Sequence, residues 1–192
     1  MLIGGIVLSG GKSSRMGTNK SLLRLDGKEV ILRIIEELQK CTDDVYIITN
    51  DPPTYKFIGR QMFSDRFKNK GPLAGLETAL YNIKADAYML VACDMPFIDH
   101  QVYNYLLQQL EGYDAVIPVY EGRVHPLAGI YKQTVLPSVQ QQLEKNELRM
   151  DGFFEYINVK YVKDFGSISD RVLRRHFFNM NHPEQYEEAK TL

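Results

Sequence analysis

The run Ala87-Tyr88-Met89-Leu90-Val91-Ala92-Cys93 carries no charge and no polar alternation, and it stops abruptly at Asp94. A segment apolar at every position has two faces to bury, which is the pattern of a central parallel strand covered by helices on both sides. Around it the chain alternates in kind. Ile6-Val7-Leu8 is a second apolar run; Val30, Ile31, Ile34, Ile35 and Leu38 recur at helical spacing; Val45 to Thr49 reads as a strand closed by the turn Asn50-Asp51-Pro52-Pro53. Gln61 to Ser64 reads as a shorter strand, and Pro72 suits the first turn of a helix striped by Leu73, Leu76 and Leu80. Asp99 is placed to cap a helix carrying Val102, Leu106, Leu107 and Leu110, and Ala115 to Val119 is another strand. His125 to Tyr131 reads as extended, Val135 to Leu143 as a helix, Tyr156 to Phe165 as containing a strand, and a short helix begins near Pro183. Strand–helix repetition of this kind predicts a doubly wound α/β fold with a mostly parallel central sheet.

With 192 residues and no low-complexity linker, one domain spanning 1–192 is expected. The formal net charge of −1 supplies no field to draw nucleic acid or an acidic membrane, so neither is expected as a partner, and the basic residues are read as local chemistry. Cys41 and Cys93 form no C-x-x-C pair and no disulfide framework, which fits a reducing compartment. The opening Met1 to Leu8 lacks a basic flank and reaches Gly10 too soon for a signal peptide or a membrane span. A cytoplasmic protein is expected.

The first apolar run breaks into Ser9-Gly10-Gly11-Lys12-Ser13-Ser14-Arg15-Met16-Gly17-Thr18-Asn19-Lys20. Adjacent glycines let successive backbone N–H groups face an anion, and Arg15 and Lys20 add positive charge. A Walker A motif would need a glycine where Ile6 stands, and the dinucleotide fingerprint does not fit either. By itself a glycine turn between a strand and a basic segment is ordinary α/β punctuation.

The pattern L-S-G-G-K-S-S-R-M-G-T-N-K-S-L-L over Leu8 to Leu23 resembles the signature loop of the molybdenum cofactor guanylyltransferases, which join GMP from GTP to molybdopterin. That resemblance implies a three-layer α/β/α, Rossmann-like nucleotidyltransferase fold. It places GTP on Leu8, Ser9, Gly10 and Gly11, and its phosphates on Arg15 and Lys20. The related cytidylyltransferases usually carry a proline where this chain has Asn19, which favours the guanylyl branch. Further ordered matches follow. Asp65 precedes Gly71-Pro72-Leu73-Ala74-Gly75 as the family's nucleotide-binding aspartate does; Asp94 ends its strand where the family holds Mg²⁺; Asn179-Met180-Asn181-His182-Pro183-Glu184 resembles the closing N-x-N-T-P motif, with His182 in place of threonine. Asn50 matches an asparagine near the base, and Arg123 and His125 have counterparts on the molybdopterin side, with Asn179 and Asn181. Transient contacts with other proteins of cofactor assembly and with recipient molybdoenzymes would follow.

Each residue also has a plainer reading. Asp94 after so apolar a strand is solvated, caps a turn, or holds a metal. Asp65 could pair with Arg66 or Lys68, Asn50 is a good turn former, and Asn181 could cap the last helix. The four histidines show no zinc spacing, and the arginines 171, 174 and 175 read as a solvated face. Gly71 and Gly75 read as close-packing positions. A cytidylyl or sugar-phosphate nucleotidyltransferase of the same fold is the nearest rival, and a nucleotide-binding module without turnover is the more distant one.

Overall fold

The computed structural model describes residues 1–10 and 19–192. In chain order the elements are β1 (Ile3–Leu8), β2 (Arg24–Leu25), β3 (Lys28–Glu29), α1 (Val30–Gln39), β4 (Val45–Ile48), α2 (Pro52–Tyr55), β5 (Met62–Phe63), α3 (Gly71–Asn82), β6 (Ala87–Ala92), α4 (His100–Gln108), β7 (Ala115–Tyr120), β8 (Arg123–Val124), β9 (Ile130–Lys132), α5 (Leu136–Glu144), β10 (Val159–Val162), α6 (Asp170–His176) and α7 (Pro183–Ala189). The main sheet runs β10-β7-β9-β6-β1-β4-β5, with β8 paired to the end of β7, and β2 and β3 form a separate small hairpin. Pairing is parallel except for β9, which lies antiparallel between β6 and β7, and for the β7–β8 hairpin.

The strands sort their side chains to two helical layers by the two-residue period of the pleat. Val7, Ile47, Met89 and Val91 pack with α1 and α4, whereas Ile6, Leu8, Ile48, Tyr88 and Leu90 pack with α3 and α5. All six residues of β6 are buried, as its uninterrupted apolar run requires. α1 buries Val30, Ile31, Ile34, Ile35 and Leu38, and Asp99 caps α4 by accepting from the Gln101 N–H at 2.8 Å. Among the described residues no helix is long and apolar enough to cross a membrane.

Several sequence expectations need correction. Only Ile130–Lys132 of the segment 125–131 is strand, because Pro126–Ala128 closes a single 3-10 turn first. Pro52–Tyr55 continues past the turn as one helical turn, with proline tolerated at its start, and Leu110 lies beyond the end of α4. α6 was not legible, since Asp170, Arg171 and Arg174 are exposed, Val172 and Leu173 are half-buried, and only His176 is buried; Arg175 leaves the solvated face to lie 4.7 Å over the Phe97 ring. Gly71 is required by its backbone, with φ of +67°, rather than by packing; Gly75 is the close-packing glycine, where a Cβ would fall 2.8 Å from Leu8 Cδ2.

The face of the sheet carrying α4 and α6 also buries a histidine. His176 Nδ1 accepts the Asp99 N–H at 2.9 Å, so the neutral ring carries its proton on Nε2, which is buried with no partner among the described residues. Burial, with His125 nearby, depresses the His176 imidazole to about 3. Protonation would also set a proton against the Asp99 N–H. The unfolded imidazole titrates near 6.5, so the folded value is the lower one, and stability is full above pH 6.5 and declines as pH falls toward 3. This group alone should make the protein about 2 kcal/mol less stable at pH 5 than at pH 8. Chemical denaturation at the two pH values measures the difference, and His176→Phe should flatten it; an unchanged pH slope in that variant would show that other groups carry it.

Candidate active site

The chain leaves β1 for β4 and β5 on one side and returns with β6 on the other, so strand order reverses between β1 and β6. Ligands in open parallel sheets bind beyond the carboxyl ends of the strands at such a point. Four adjacent tips line it. Reading across β6, β1, β4 and β5 they present Asp94, Ser9 with Gly10, Asn50, and Asp65. At the usual interstrand spacing this row covers roughly 14 Å. Pairing continues past the strand ends to hold it, through Cys93 N to Leu8 O at 3.1 Å, Ser9 N to Ile48 O at 2.9 Å and Thr49 N to Phe63 O at 2.9 Å.

Polar groups at the tips are only partly satisfied. Asp94 Oδ1 and Ser9 Oγ are buried with no hydrogen-bond partner among the described residues. Such orphans cost a few kcal/mol each in a purely structural role, and they cluster where a ligand completes them. Burial raises the Asp94 carboxyl above its ordinary range, against the pull of the Lys20 ammonium, and it pushes the Cys93 thiol up to about 12. Asp94 as a residue is half-buried, with its Oδ1 shielded at the strand tip.

Lys20 is built into place. Asn19 Oδ1 accepts from the Ser21 N–H at 3.2 Å and from its hydroxyl at 2.7 Å, and Asn19 Nδ2 donates to the buried Tyr55 hydroxyl at 2.7 Å. From that anchored turn Lys20 Nζ donates to Asn181 Oδ1 at 3.0 Å. Asn181 is brought there by the chain after α6, where the Met180 N–H donates to the Asp94 carbonyl at 2.8 Å. His182, not Asn181, is the N-cap of α7, exchanging bonds with Gln185. Asn179 donates to the Phe177 carbonyl at 2.9 Å, and the His125 ring lies 4.6 Å from the Phe177 ring. Burial lowers the His125 imidazole, and Arg123 stands exposed on the hairpin nearby. The structure thus gathers Asn179, Asn181 and His125 on the β6–β7 side of Asp94, and Asn50 with Asp65 on the opposite side of Gly10.

At that far end Asn50 Nδ2 donates to Asp65 Oδ2 at 2.6 Å, and the Asp65 N–H returns to Asn50 Oδ1 at 3.1 Å. Lys68 reaches Asn50 Oδ1 at 3.2 Å, whereas Arg66 turns away to Glu77. Burial raises the Asp65 carboxyl, opposed by the Asn50 bond and the Lys68 charge. The expected phosphate ligands Gly11 and Arg15 lie outside the described residues.

A sequence model described as MobA-like NTP transferase domain matches residues 5–154. The chain belongs to the MobA-like NTP transferase family. A Clostridium perfringens protein named "Probable molybdenum cofactor guanylyltransferase" is 37% identical over 95% of this chain and 93% of its own length, and one of the same name from Carboxydothermus hydrogenoformans is 33% identical over 95% and 92%. The solved structure of molybdopterin-guanine dinucleotide biosynthesis protein A from Archaeoglobus fulgidus superposes with a TM-score of 0.82, at 24% identity, over 98% of this chain and 97% of that one. As a MobA-like NTP transferase the protein is a nucleotidyltransferase with the Rossmann-like α/β fold.

For a MobA-like transferase the informative residues that sequence reading missed are Tyr55 and Ser21, which hold Asn19, and Glu77, which holds Arg66. Only the buried position of a lone glutamate on the α3 stripe could have been noticed beforehand. At Gly10 an added Cβ would meet nothing within 4 Å among the described residues, so none of them requires glycine there. Gly10→Val should therefore melt within about 0.5 kcal/mol of the parent, while the branched side chain fills the space above the strand tip and weakens nucleotide binding at least tenfold. Thermal melts paired with a nucleotide titration separate the two effects; unimpaired binding would move the nucleotide off this strand end.

Proposed function

We propose that this nucleotidyltransferase moves GMP from GTP to the terminal phosphate of molybdopterin, or of its metal-loaded form, producing molybdopterin guanine dinucleotide and pyrophosphate. The observation that carries the reading is the row of strand tips, where buried oxygens of Asp94 and Ser9 have no partner among the described residues, beside an anchored lysine bonded to Asn181. The curated relatives bearing the guanylyltransferase name match across nearly the whole chain, which supports GTP and molybdopterin as the substrates.

Asp94 suits a Mg²⁺ ion, because a buried carboxylate oxygen without a partner beside phosphate-binding groups is the hard donor that cation takes. When bound, the ion supplies neutralisation of charge around the reacting phosphorus. The protein's own groups do the aligning. Lys20 and the Gly10 amide hold the triphosphate, and Asn181, already bonded to Lys20, sets the acceptor against it. An acceptor phosphate is an anion at neutral pH, so no general base is needed, and rate comes from position and charge stabilisation. Asn50 takes one oxygen of Asp65, which orients the other toward the donor edge that guanine presents.

Incubation with each nucleoside triphosphate, Mg²⁺ and molybdopterin should release pyrophosphate with GTP; faster release with CTP would replace this reading by the cytidylyl one. Asp94→Asn should retain most GTP binding and lose several kcal/mol of transition-state stabilisation, on the order of 100-fold or more in turnover. Near-normal turnover at saturating Mg²⁺ would remove Asp94 from the metal site. Asp65→Asn should narrow discrimination of GTP from CTP and ATP by roughly 1 to 3 kcal/mol. If all three nucleotides weaken equally, Asp65 serves the ribose or phosphates instead of the base.

A further inference from the structure

Helix α3 buries eight consecutive residues, Leu73 to Leu80, and one of them is a carboxylate. Glu77 is wholly inaccessible. A buried ion pair rarely stabilises more than an apolar pair of similar volume would, and a helix covered on all sides is the natural place for apolar residues. Glu77 Oε1 accepts from the Arg66 guanidinium and from Gln140 Nε2 at 2.8 Å, and Oε2 is buried with no partner among the described residues.

Arg66 is the residue after Asp65. Its N–H donates to Thr78 Oγ1 at 3.1 Å, next to Glu77 on α3, and its guanidinium lies 3.3 Å over the Tyr81 ring. On its other side the Asp65 N–H and carboxylate are both bonded to Asn50 at the tip of β4. The two-residue step from 65 to 66 is therefore clamped between a strand tip and a buried helix face. A loop carboxylate held only by Asn50 would turn with that one side chain, whereas the second anchor, on the backbone and side chain of the following residue, removes that freedom.

We propose that Glu77 is a positioning residue of the transfer reaction: by binding Arg66 it fixes the backbone that carries Asp65 and aims the Asp65 carboxylate along the row of strand tips. The inference rests on Asp65 being a nucleotide ligand, and the experiment separates the two. A double-mutant cycle of Glu77→Gln with Asp65→Asn is read as KM for GTP and as kcat. Glu77→Gln should raise KM about 5- to 20-fold with kcat within about twofold, because a mis-aimed ligand weakens binding of the nucleotide more than alignment at the phosphorus. In the Asp65→Asn background the same change should alter KM less than about twofold, since no carboxylate is left to aim. Equal losses in both backgrounds would make Glu77 a packing residue and overturn the proposal. Where Glu77→Gln alone does not fold, the paired Arg66→Met and Glu77→Met change strands no buried charge and carries the same test. Wild-type KM in the Asp65→Asn single variant would remove the nucleotide role of Asp65 and the role of Glu77 with it.

Discussion

The parallel pairing of β1 with β4 on one side and β6 on the other is the constraint on which the site depends. Leu8 stands opposite Ile48 in one ladder and opposite Ala92 in the other, so three chain segments distant in sequence end at one level. Hydrogen bonds continue one residue past those ends, and they fix where Ser9, Cys93 and Thr49 lie. Burial of Ile6, Val7 and Leu8 against both helical layers makes a slip in this register costly, because a one-residue shift would turn every apolar side chain to the wrong layer.

Buried polar groups divide into two kinds by how they are satisfied. His176 and Glu77 each have one bonded and one orphaned atom deep in a helical layer, where they hold neighbouring backbone and side chains. Among the described residues Ser9 and Asp94 have oxygens without a partner at the end of the sheet, near the anchored Lys20. The first kind organises segments that approach the site. The second kind stands at the strand ends, where a ligand can enter without disturbing the core.

The C-terminal part lies beyond the stretch matched by the family model, yet it reaches the same strand tips. Met180 donates to the Asp94 carbonyl, Asn181 accepts from Lys20, and the Tyr186 hydroxyl donates to the Arg24 carbonyl at 2.8 Å. These contacts tie the segment following α6 to both Asp94 and the turn that carries Lys20.

The α/β class, the parallel core and most element positions were legible from the sequence, because continuous apolar runs and helical periodicity report burial locally. The glycine loop, Asp65, Asp94 and the N-x-N segment were legible as motifs, and Asp99 as a cap, since each depends on residues close in the chain. The tertiary structure alone decided the antiparallel insertion of β9, the short helix α6, the His182 cap, the anchoring of Lys20 by Asn19 and Tyr55, and the clamp from Glu77 to Arg66. The Lys20 anchor and the Glu77 clamp depend on partners 36 and 11 residues apart, which no periodicity encodes. A pattern in sequence records which faces must leave water; which polar groups then meet is fixed only when the sheet has brought its strand ends together.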